Sequence, residues 1–186
     1  MNRRGQRREN LISTTKALEE IHSLVSGGSE LSVSQCREWL ASDDLRIGQA
    51  SLDALIEFNA RFNASLLREV ASYVHTYFER AFLLIESASD TKFGHSLGRS
   101  FCAWFTMVAS GEVFPAGTLS ELKALLEMLC RRGNKSLSLM ILCDVLEPLC
   151  ESRRVALLFA DWDDDPALRP LLEKAIEWGQ GFWPRP

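Results

Sequence analysis

An all-α fold is predicted by three observations. Apolar residues recur at spacings of three, four and seven along most of the chain, glycines, prolines and asparagines interrupt that pattern at intervals, and no segment reads as a β-hairpin. The expectation is one domain of about seven to nine antiparallel helices, as a bundle or a short HEAT-like α-solenoid. With 186 residues, the chain is long enough to close a core without a disulfide or metal. Its 46% hydrophobic and 25% charged content is that of an ordinary globular protein.

The elements follow in order. Residues 1–8 form a basic arm with no apolar pattern, expected to be flexible; 9–180 form the helical domain; 181–186 form a non-helical aromatic and proline tail. Leu11, Leu18, Ile21, Leu24 and Val25 predict a first helix that stops at Ser26-Gly27-Gly28-Ser29. Ser32 is the expected N-cap of a short helix carrying Trp39 and Leu40, and Asp43 or Asp44 caps the next. That helix carries Leu52, Leu55, Ile56 and Phe62 and breaks close to Asn63. Leu66, Leu67, Val70, Val74, Tyr77, Phe78, Ala81 and Ile85 then mark one face of a long helix.

Lys92 to Ser110 is apolar nearly all round, the pattern of a central helix, and Gly94 and Gly98 would let a neighbour approach closely. Thr118-Leu119-Ser120-Glu121 has the form of a capping box, with the helix closing after Arg131-Arg132 at Gly133. Ser136 to Trp162 holds Pro148, which predicts two helices or one kinked helix. A strand competes at 137–142, but only Ile141 there is β-branched, which favours helix. Asp165-Pro166 resembles an N-cap and first helical position for the last helix, with Pro170 as the competing start.

Charge is distributed unevenly. Arg3, Arg4, Arg7 and Arg8 give the first eight residues a charge of +4, while the remaining 17 basic and 25 acidic side chains give −8. The arm would attract a polyanion and the body would repel one. Five cysteines, an odd number without C-x-x-C spacing, favour a reducing compartment, and no apolar run is long enough for a membrane span. The cytoplasm is the expected location.

No catalytic, cofactor or metal signature occurs: the chain lacks G-x-S-x-G, a P-loop and G-x-G-x-x-G. The three histidines stand apart in sequence. His75 precedes Glu79 by four residues but lacks the second histidine a zinc helix needs. Asp161-Trp162-Asp163-Asp164-Asp165 concentrates carboxylates without the EF-hand pattern, and is read as favouring the positive end of the next helix.

Two surfaces remain. Trp178, Phe182, Trp183 and Arg185 crowd the C-terminal end and suit a partner-binding anchor, unless they fold back onto the core. Arg3, Arg4, Arg7 and Arg8 suit phosphates or an acidic protein. The expected function is therefore a non-enzymatic protein-interaction module (adaptor, scaffold, inhibitor or chaperone-like), with a protein partner and a homo-oligomer compatible. Nucleic-acid binding through the arm is the alternative. A helical enzyme using His75, Glu79 or the acids is the third reading.

Overall fold

Ser32 shows how directly this sequence writes its own helix ends. Its hydroxyl accepts from the Gln35 N–H at 3.2 Å, while the Gln35 side chain accepts from the Ser32 N–H at 3.1 Å, a complete capping box. The computed structural model describes residues 3–27, 31–57, 64–88, 91–111, 113–132 and 134–183. Among them the regular structure is helical and no strand occurs. By backbone proximity the chain separates into two compact units, Met1–Tyr77 and Phe78–Pro186, with the boundary inside one uninterrupted helix.

The first unit contains α1 (Arg3–Ser26), α2 (Val33–Leu40), α3 (Leu45–Glu57) and the start of α4 (Ala64–Ala88). α1 and α2 both pack on α3. Asp44, rather than Asp43, starts α3: its carboxylate accepts from the Arg46 N–H at 3.1 Å, and also from the Thr14 hydroxyl of α1 at 2.8 Å. The Arg46 side chain bonded to it, with these donors adding, lowers the Asp44 pKa to about 2. Cys36, Leu52, Leu55, Val70 and Val74 are fully buried at the centre. Tyr77 lies over Gly48 and donates its hydroxyl to the Leu45 carbonyl at 3.1 Å. A side chain at position 48 would collide with that ring.

One expectation is corrected here. The basic segment is not an irregular arm, because α1 begins at Arg3 and carries Arg3, Arg4, Arg7 and Arg8 on its first turns. Arginine is a good helix former, and Gly5 alone, at about 1 kcal/mol relative to alanine, does not stop a helix. The expected break near Asn63 and the inward face of Phe62 lie outside the described residues. So do Gly28 and Ser29 of the first joint and Gly133 of the later helix stop.

The second unit contains the rest of α4, then α5 (Thr91–Ser110), α6 (Thr118–Arg131), α7 (Lys135–Ile141), α8 (Glu147–Cys150), α9 (Arg153–Ala156) and α10 (Arg169–Gly179). A π-helical turn, Leu142–Leu146, fuses α7 to α8. Its hallmark is the Glu147 N–H bonding the Leu142 carbonyl five residues back. The wider turn is the local solution to Pro148, whose ring would otherwise strike the carbonyl four residues before it. The helix thus runs through Pro148 to Cys150; of the two alternatives expected for 136–162 the chain takes two helical stretches, but it parts them at Glu151 and Ser152 and not at the proline.

α5 is central as its pattern predicts, with Leu97, Phe101, Trp104 and Phe105 fully buried. Its glycines do admit a neighbour: a Cβ at Gly94 would lie 2.8 Å from Met140 Sδ, and one at Gly98 2.7 Å from Asp144 Cβ. Phe78, Phe82, Phe101, Phe105, Phe159 and Trp162 form a continuous buried aromatic chain with centroid spacings of 4.8 to 6.2 Å.

Two boundaries differ from expectation, and a third, the start of the last helix, takes the competing course at Pro170. α6 is entered through Gly117, whose φ of 100° suits only glycine well, and Thr118 is buried instead of capping. Asp165 caps a turn, accepting from the Ala167 N–H at 2.9 Å, and the last helix starts at Arg169 with Pro170 in its first turn. The tail is not wholly irregular, since Gln180–Phe182 form a 3₁₀ turn.

Candidate functional site

The acids and aromatics that stood out in sequence both belong to the end of the second unit, where a 3₁₀ helix, Leu157–Asp164, runs beside α10. Arg169 at the start of α10 lies 3.8 Å from the Asp163 carboxylate, and Trp183 just past its end lies under the Arg153 guanidinium at 5.9 Å. The two elements are therefore antiparallel.

The acid run is bound to the protein's own cations. α6 presents Lys123, Glu127 and Arg131 at intervals of four, which places them on one stripe. Lys123 donates to Asp161, Arg131 donates to Asp165, and between them the Trp162 indole N–H donates to Glu127 at 2.8 Å. The bond from Lys123 lowers the Asp161 pKa, and the bond from Arg131, aided by the Ala167 N–H, lowers that of Asp165. The expectation that these acids chiefly favour the next helix is thus too narrow: their main partners are basic residues of α6. Among the described residues, no group of three or more His, Cys, Asp or Glu side chains is placed to hold a metal ion.

The aromatic end divides in two. Trp183 folds back: its indole N–H donates to the Cys150 carbonyl at 2.8 Å, and its ring is half-buried. Gly179 presses against the same Cys150 backbone, where a Cβ would not fit, so α10 lies tightly on α8. Trp178 and Phe182 stay outside, 51% and 57% exposed, with ring centroids 6.0 Å apart. Arg185 lies outside the described residues, and of the four N-terminal arginines only the backbone is described.

Two features escaped the sequence reading. The first is a groove of about 350 Å³ between the 3₁₀ helix and α10. Ala156, Ala160, Leu172 and Ile176 line it, with Leu157 and Trp183 beside them. Arg153 marks one end, and Asp163 and Glu173 line it toward the other. Leu157 is 67% exposed, although its sequence surroundings, Val155-Ala156-Leu157-Leu158-Phe159, read as core throughout. The second is a partner for His95, whose Nδ1 lies 2.5 Å from Asp144 Oδ2 in the π-helical turn.

Nucleophilic chemistry gains no support from the thiols. Burial raises the Cys36, Cys102 and Cys150 pKa values to about 11 and that of Cys130 to about 12. Cys143 is exposed, but partial desolvation and the carboxylates of Glu147 and Asp144 raise its pKa as well. His75 is half-buried and Glu79 exposed on α4. No family model, curated protein or solved structure matches the chain. No described helix is long and apolar enough to cross a membrane.

Proposed function

We propose that the chain is a non-enzymatic protein-interaction module that seats the Trp178–Phe182 pair in an apolar depression on a different protein. The observation that carries this reading is the exposure of both rings on an ordered scaffold. A hydrophobic pair facing water gains free energy when covered, at about 25 cal/mol per Å² of apolar surface removed. Trp178 projects from a helix fixed by Gly179 against Cys150 and by the Trp183 bond on its far side. Little backbone order would be lost on binding, and tryptophan is the residue type most enriched in interface hot spots.

Photo-crosslinking tests the proposal. A photoreactive residue replaces Phe182, and the same group at exposed Leu139 on α7 serves as the control position. The expected result is one protein crosslinked from position 182 and not from 139. Once purified, that protein binds the wild-type chain directly and loses about tenfold or more in affinity to Trp178→Ala. Equal crosslinking from both positions, or direct binding indifferent to Trp178, overturns the proposal.

A further inference from the structure

We infer that the groove between the 3₁₀ helix and α10 is the seat of a second copy of this chain, forming a two-fold homodimer. This goes beyond the proposed function, because Trp178 and Phe182 do not line the groove. On α10, Trp178 is turned about 200° from groove-lining Ile176.

Two properties point to self-recognition. The first is shape: the groove and a projecting apolar side chain occur side by side, since Leu157 borders a cleft lined by Ala160, Leu172 and Ile176. A two-fold axis across this surface sets each Leu157 into the other copy's cleft, as an isologous interface requires. The second is charge. Arg153 occupies one end, while Glu173 lies one turn beyond Arg169, toward the other. Asp163, also at that other end, already faces Arg169. Antiparallel pairing brings Arg153 of each copy to Glu173 of the other, whereas a parallel arrangement would oppose like charges. The axis that exchanges the leucines is thus the one that matches the charges.

Sedimentation velocity on the full chain, over about a hundredfold range of concentration, tests the inference. The expected wild-type result is a concentration-dependent species of twice the 21.0 kDa chain mass. Leu157→Glu weakens association about tenfold or more. Arg153→Glu and Glu173→Arg each weaken it severalfold, and the double variant restores it to within about threefold of wild type. That rescue separates cross-interface pairing from damage to the Arg153–Trp183 stack. Circular dichroism accompanies each variant, and Leu157→Ser, which adds no charge, serves if Leu157→Glu misfolds. A monomeric wild type, a dimer indifferent to position 157, or a double variant as weak as its parents overturns the inference. A monomer that still binds its partner through Trp178 overturns the dimer alone, and a dimer indifferent to Trp178→Ala with no partner at that pair overturns the proposed function alone.

Discussion

The acid run at 161–165 and the aromatic run at 178–183 are alike as sequence features, each a short cluster of one chemistry, yet the fold treats them oppositely. Three of the four acids are satisfied from within: Lys123, Arg131 and Arg169 each meet one, and the tryptophan among them is buried and bonded to Glu127. The aromatics are satisfied only in part, with Trp183 held by the Cys150 carbonyl while Trp178 and Phe182 face solvent. Clustering alone therefore does not mark a binding surface. What marks it is the residue left without an internal partner when its neighbours have found theirs.

The contrast gives stability and binding effects that should separate. The largest loss is expected for Trp162→Ala, which empties a fully buried site packed edge-to-face on Phe159 and should cost about 3–5 kcal/mol in denaturant unfolding. Glu127→Ala leaves the Trp162 N–H without its acceptor and should cost about 1–3 kcal/mol. Trp183→Phe keeps most of the ring but removes the bond to Cys150, with an expected loss of about 1 kcal/mol by the same assay.

The pH response isolates the carboxylates. Asp161 and Asp165 have folded pKa values below their unfolded ones, so their stabilisation is complete above the ordinary carboxylate pKa of about 4. It is lost as pH falls through the lowered folded values. The gap in urea midpoint between wild type and Asp161→Asn/Asp165→Asn should therefore be present at neutral pH and shrink below about pH 4. A gap that persists in acid would show that the pairs act by packing instead of charge.

How much of this was legible in sequence depends on whether the signal was local. Ser32 to Gln35, the stripe from Leu66 to Ile85 and the glycines at 94 and 98 are local patterns, and each leads to the structure found. Thr118 failed because a capping box and a buried threonine after a left-handed glycine share the same letters. The stripe of Lys123, Glu127 and Arg131 went unread because its meaning is not local: its partners at 161, 162 and 165 lie 34 to 38 positions away. Leu157 was illegible for a related reason. In a run of apolar residues, periodicity does not say which one a later element such as α10 leaves uncovered.

The smallest stability effect belongs to the exposed pair, and there the two regions part most sharply. The decisive measurement takes the double variant Trp178→Ser/Phe182→Ser through denaturant unfolding and through calorimetric titration against the protein crosslinked from position 182. The expected result is an unfolding free energy within about 1 kcal/mol of wild type, together with an affinity loss of about a hundredfold. Unchanged affinity, or destabilisation as large as that of Trp162→Ala, would contradict it.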